Sequence, residues 1–155
     1  MKKNKKLVEK TVLNTFQEEI PSIYFSDKNK SEYEKFKDNA EYVYRELFNF
    51  PKEMFKDKKL LDFGGGTGEQ TVYLTNWGAE ITHVEMNNMA IAIAKKVFKK
   101  HGSNINKHRF INTSIFDFNI NKKFDIVHSR GVFSHTYNKE KAFNKECYSY
   151  NQEKA

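Results

Sequence analysis

The sequence is poor in the residues that usually staple, bend or metallate a small protein: it has one cysteine, Cys147, two prolines and five histidines. A lone cysteine excludes a disulfide framework and a cysteine-based zinc site. The histidines show no H-E-x-x-H spacing, so no metal ligand set is assigned. No apolar run approaches the ~20 residues of a bilayer span, and the lysine-rich start MKKNKK lacks the apolar core of a signal peptide. A cytoplasmic protein with no membrane partner is expected. Arginine is scarce as well, since only Arg45, Arg109 and Arg130 occur. The net charge of +7 therefore comes almost wholly from lysines scattered along the chain. A nucleic-acid surface gathers its cations in one patch, so nucleic acid is not expected as a partner. Abundant Lys, Asn, Ile, Phe and Tyr share A/T-rich codons, which accounts for the composition without one.

What is present reads as one folded domain of 155 residues, with 38% hydrophobic and 30% charged residues. Residues 7–20 carry apolar groups on one side of a helix that stops before Pro21. Residues 21–30 read as a loop with Tyr24 and Phe25 outward. Ser31 and Glu34 then form a capping-box signal. Behind it Tyr33, Phe36, Ala40, Tyr44 and Leu47 recur at three- and four-residue spacing, the pattern of an amphipathic helix. That helix either packs on the sheet edge or lies as a lid over a ligand. Beyond Pro51 the chain alternates regularly, with strands over 59–63, 80–84, 108–113 and 124–128 and helices over 69–77 and 88–100. No internal repeat or low-complexity linker interrupts it. Such alternation argues an α/β fold, a parallel sheet flanked by helices, preceded by a helical segment.

The alternation is organised around KLLDFGGGTGEQTVYL, residues 59–74. An apolar strand runs into Asp62, and Gly64, Gly66 and Gly68 follow at alternate positions. Backbone there can approach a ligand closely, and the next helix starts beside it. The second strand, AEITHVE, ends in Glu85, near the ~20-residue offset at which an acidic residue reaches a ribose hydroxyl pair. The dinucleotide fingerprint G-x-G-x-x-G fails, because Glu69 stands where the third glycine belongs. Glu69 likewise replaces the P-loop lysine. Asp62 and Glu69 flanking the turn would repel a pyrophosphate and favour a cationic ligand.

D-F-G-G-G-T-G with Glu85 at the second strand's end resembles the class I S-adenosylmethionine-dependent methyltransferases. IFDFNINKKFDIVHSRGVFSHT, residues 115–136, is similar to that family's third- and fourth-strand motifs. The resemblance implies a Rossmann-like sheet of order 3-2-1-4, residues 57–155 as the cofactor-binding domain, and residues 1–56 as a helical segment packed on it. Its cofactor would be S-adenosylmethionine. Asp62 and the backbone of Gly64, Gly66, Thr67 and Gly68 would face the methionine end, with Asp62 near the ammonium. Glu85 would take the ribose hydroxyls, Met86 would lie against the adenine, and Ile115 would meet its ring through backbone. Ser114 stands where the family carries an acidic acceptor for the adenine amine. Ser129 would line the cofactor, and His135 is the candidate general base beside the acceptor. The alternative role for His135 is only to shape the pocket.

The N/D-P-P-aromatic and Pro-Cys motifs of base-methylating relatives are missing, which leaves a small-molecule acceptor by elimination. A non-catalytic binding module and a nicotinamide oxidoreductase stand as alternatives, the second opposed by Glu69. The family's sheet continues past its fourth strand, whereas residues 144–155 show no strand run. Strand 124–128 is therefore expected as an exposed edge. It would self-associate, or residues 138–155 would fold back on it as a helix.

Overall fold

The computed structural model describes residues 30–119 and 123–149, together with Leu7, Thr11, residues 14–16 and Pro21. Of the helix expected over 7–20, Leu7, Thr11 and residues 14–16 are helical. Its other positions, Tyr24 and Phe25, and residues 150–155 lie outside the described residues.

Four short strands make one parallel sheet: β1 (Lys59–Phe63), β2 (Glu80–Glu85), β3 (Arg109–Asn112) and β4 (Ile126–Ser129), in the order β3-β2-β1-β4. The glycine-bearing strand is central, as the motif requires. A parallel strand covered on both faces should be apolar nearly throughout, and Leu60, Leu61 and Phe63 of β1 are at most 1% exposed. Successive side chains alternate between faces. Leu60 and Ile81 join one core with Tyr44, Tyr73, Trp77 and Phe98. Leu61, Phe63 and Val84 join the other, with Ile115, Phe118, Phe124 and Ala142.

The first face is covered by α1 (Lys30–Tyr42), a 3-10 turn over Val72–Trp77, and α2 (Asn88–His101). Asn87 caps α2, its side-chain oxygen accepting from the Met89 and Ala90 N–H groups. The second face is covered by the loop after β3 and by α3 (Lys139–Ser149), whose Ala142 is fully buried. α3 lies within the helix expected over residues 138–155.

Four expectations need correction. The single helix through Leu47 ends at Tyr42, and Val43–Leu47 form a π-type turn closed by Phe48 N–H to Val43 oxygen, 3.0 Å. The wider turn breaks the helical spacing, so Tyr44 is buried and Leu47 is 63% exposed. The helix over 69–77 is replaced by a turn and the 3-10 segment, because Thr71 holds non-helical backbone while its hydroxyl donates to Asp62 at 2.8 Å. Gly78, left-handed at φ 96°, stops the segment as expected. The third strand is Arg109–Asn112 rather than 108–113, since His108 turns its ring onto the Ile81 N–H at 3.1 Å. The fourth strand likewise starts later and ends later than 124–128, at Ile126–Ser129: Asp125, just before it, accepts from the Lys59 N–H at 2.9 Å and ties the starts of β4 and β1 together.

Candidate functional site

The carboxyl ends of all four strands open on one side, and residues 64–71 lie across them. Gly64 and Gly65 both donate to the Val84 carbonyl, at 2.8 and 3.3 Å, which pins the turn to β2. Gly66 is the residue that faces open space. Its φ is +55°, a conformation suited to glycine, and a Cβ built there meets nothing within 4 Å. Its N–H donates to Glu85 Oε2 at 3.0 Å, and Glu85 Oε1 accepts from the Asn87 N–H at 2.9 Å. Glu85 thus joins the turn to the start of α2. An ionised carboxylate offers about four acceptor sites, so two remain for ligand hydroxyls.

Two cavities meet over Gly64 and Gly66. The first, ≈ 360 Å³, is lined by Glu85, Met86, Ala90, Ser114, Ile115 and His135 among others. Met86, Ala90 and Ile115 supply the apolar walls that a flat ring needs. The second, ≈ 630 Å³, is lined by Asp62, Thr67, Glu69, Gln70 and His128 on the sheet side, and by Phe36, Asn39, Ala40 and Val43 from α1 and the turn after it. α1 therefore both packs on the sheet through Tyr33 and Ala40 and walls a cavity. The two roles opposed in the sequence overlap on one helix, with Phe36 and Ala40 contributing to both the core and the cavity wall. Arg130 and Gly131 border both cavities.

Several expected contacts fall elsewhere. Asp62 is 1% exposed and only borders the second cavity. Its carboxylate accepts from His128 Nδ1 at 2.8 Å and from Thr71, and His83 Nδ1 lies 3.3 Å away. Burial alone would raise the Asp62 pKa, but the hydrogen bonds and charge of His128 and His83 outweigh it and hold the group well below the usual carboxylate range. It anchors the turn from beneath and borders the second cavity. Gly68 does not give room to a ligand: a Cβ there would stand 2.8 Å from Phe98, so this glycine lets the turn pack on α2. Thr67 is buried and donates to Glu69 Oε2 at 3.0 Å. Ser129 lines neither cavity; its buried hydroxyl lies toward Glu146 of α3, and the two make no hydrogen bond of good geometry. Burial there raises the Glu146 pKa, against the opposing pull of Ser129 and His128. Ser114 does line the first cavity, although its hydroxyl already accepts from the Phe116 N–H at 3.0 Å.

Other residues at the site escaped the sequence reading. Phe16 lines the first cavity, packs edge-on against His135 with ring centroids 5.1 Å apart, and offers its carbonyl to Asn87. Nothing in the local pattern around Phe16 points to this contact. Arg130 donates to Gln70 at 2.6 Å across the mouth of the site. Its place directly after the fourth strand could have flagged it. His83 and His128 sit in strand patterns, where apolar neighbours masked them.

The profile of the methyltransferase domain family matches residues 61–150, more than half of the chain. The chain belongs to that family. S-adenosylmethionine is the family's methyl donor, which agrees with the cationic ligand that the turn favours. A search of the curated proteins found no match. Among solved structures, the methyltransferase domain is similar to magnesium protoporphyrin IX methyltransferase of Synechocystis PCC 6803 with bound S-adenosylmethionine. The TM-score is 0.65 at 11% identity, over 90% of this chain and 72% of that one. It is also similar to the plantazolicin methyltransferase in complex with the demethylated product, with TM-score 0.56 and 23% identity, over 97% and 57% of the two chains. A glycopeptide N-methyltransferase complexed with S-adenosylmethionine matches at TM-score 0.53 and 15% identity, over 60% and 42%. At these identities the common property is the fold. The chain spans about half the length of most of the solved structures it matches, from 27% to 72%.

Proposed function

We propose that residues 57–155 of this methyltransferase domain bind S-adenosylmethionine across the two cavities and direct its methyl group to a small-molecule acceptor in the cytoplasm, with residues 1–56 as a helical segment packed on that domain. The observation that carries this reading is Gly66: its open face lies where the two cavities meet, with the Glu85 carboxylate hydrogen-bonded to its N–H. The residues fit the cofactor. Met86, Ala90 and Ile115 would flank the adenine, Glu85 the ribose hydroxyls, and the backbone at Gly64 and Gly66 would leave passage for the methionine end. When bound, S-adenosylmethionine supplies an electrophilic methyl on a sulfonium, and the transfer is an in-line displacement. The protein's part is alignment and exclusion of water. His135, which lines the first cavity and packs edge-on against Phe16, would take the proton that the acceptor releases.

A small acceptor suits the space that the two cavities leave beside Gly66, with α1 walling the second and His135 lining the first. Calorimetry with S-adenosylmethionine, its demethylated product and NAD tests the cofactor. Competitive binding of the first two and none of NAD is expected, and binding of NAD alone overturns the reading. Labelled methyl transfer into fractions of cell extract tests the acceptor class. Label confined to nucleic acid or protein contradicts a small molecule.

A further inference from the structure

The register of the sheet places an unusual row of side chains beneath the glycine turn. His83 of β2 pairs with Asp62 of β1, and Asp62 pairs with His128 of β4. In-register residues share a face, so the three side chains meet under residues 64–71. His83 is 0% exposed, in a strand where an apolar residue would be the ordinary choice. Burying an imidazole is costly unless its nitrogens are used. Only Nε2 is hydrogen-bonded, 3.0 Å from the Gly66 carbonyl oxygen; Nδ1 lies 3.3 Å from Asp62 Oδ2 without a hydrogen bond of good geometry. Phe98, edge-on, and Phe110, tilted, pack beside it, with centroids at 6.2 and 5.6 Å.

The turn rests directly on this pair. A Cβ built at Gly65 would stand 2.3 Å from Asp62 Oδ2 and 2.3 Å from His83 Cε1, so no side chain fits between them. Gly66 is gripped from both ends, its carbonyl by His83 and its N–H by Glu85. Its remaining face is the open one at the junction of the cavities.

We propose that His83 is a positioning residue for the cofactor: it fixes the Gly66 peptide so that the turn's open face and Glu85 stand ready before the ligand arrives. Asp62, hydrogen-bonded to His128 and Thr71 and 3.3 Å from His83 Nδ1, backs the ring from the other side. The proposal rests on the cofactor reading above, and its test separates the two.

The full chain is compared with His83→Phe, which keeps an aromatic ring and removes both nitrogens, and with His108→Phe. His108 is a second buried histidine whose ring bonds Ile81 and Ser103 away from the cavities, so its loss controls for general destabilisation. Calorimetry with the demethylated cofactor well below the unfolding temperature should show affinity falling about tenfold in His83→Phe, the shift expected for one lost hydrogen bond, and staying within about twofold in His108→Phe. Without ligand, hydrogen exchange of the Gly66 amide should quicken only in His83→Phe. A folded His83→Phe chain with unchanged affinity and unchanged Gly66 exchange overturns the proposal. If the parent chain binds no demethylated cofactor, the cofactor reading fails, and the exchange comparison alone decides the role of His83. Should His83→Phe not fold, His83→Gln and His83→Met replace it. The glutamine amide can still donate to Gly66, so a glutamine variant whose Gly66 amide exchanges as fast as in the methionine variant is the overturning result.

Discussion

At Glu85 each carboxylate oxygen already carries a backbone N–H, from Gly66 and from Asn87. Glu85→Ala therefore has two expected effects. Loss of two charge-assisted hydrogen bonds to the ribose should weaken cofactor binding by about 3–6 kcal/mol, since each is worth roughly 1.5–3. The unpaired N–H groups should also lower the unfolding temperature, an effect invisible in the sequence, where Glu85 stands only at a strand end. Calorimetry and thermal unfolding read the two separately, and unchanged affinity would sink the ribose assignment. His108 supplies the pH dependence. Its Nδ1 accepts from the Ile81 N–H and its Nε2 donates to the Ser103 carbonyl at 2.7 Å, which requires the neutral ring. Burial depresses its pKa below the ordinary 6.5, with the Ser103 bond opposing. The folded state then binds fewer protons than the unfolded one. The stability that His108 contributes is present above about pH 6.5 and is lost as pH falls through the folded value. Melting curves from pH 7 to pH 5 should fall more steeply for the parent than for His108→Phe; equal slopes would remove His108 from the account.

Among the elements, those written in residue periodicity were legible in advance. β1, β2 and α2 follow from apolar runs, from Gly78 and from the glycine turn, and the helix after His135 follows from an uninterrupted run of helix formers. What stayed hidden was decided by contacts distant in sequence. The π-type turn exists because Tyr44 reaches a core of Phe55, Tyr73 and Trp77. The 3-10 segment exists because Thr71 is drawn to Asp62. The site divides in the same way. The turn and Glu85 could be read from spacing, whereas the inward turn of Ser129 and the approach of Phe16 could not. One consequence for α1 can be measured in alkali. Burial pushes the Tyr33 and Tyr44 phenols up to about 12, so each contributes stability that is complete below pH 10 and lost as pH rises through the folded value. Phenolate absorbance at those two positions, isolated with Tyr→Phe variants, should appear together with loss of α1 and the π-type turn that follows it rather than before. Ionisation of either at pH 10 in a folded chain would contradict their packing.

For the whole molecule the open question is the free side of the sheet. Among the described residues β4 pairs only with β1, and α3 reaches it mainly by lying on its face, with the Phe124 N–H donating to the Ser149 carbonyl at 2.9 Å. The backbone of Ile126–Ser129 is therefore a template for another strand. Sedimentation over a concentration series should show reversible association of this chain, with slower exchange of the β4 amides at high concentration. A strictly monomeric chain with concentration-independent exchange would remove the idea. The seating of Gly65 on Asp62 and His83 has a different kind of consequence. Position 65 lies in the turn and position 83 inside β2, yet they compete for one volume, so neither can vary alone. In a library randomised at both, a side chain at 65 should survive only beside a small residue at 83, and a ring at 83 should always travel with glycine at 65. The two positions would then be inherited as a pair, and that pairing would mark which relatives seat their turn in this way.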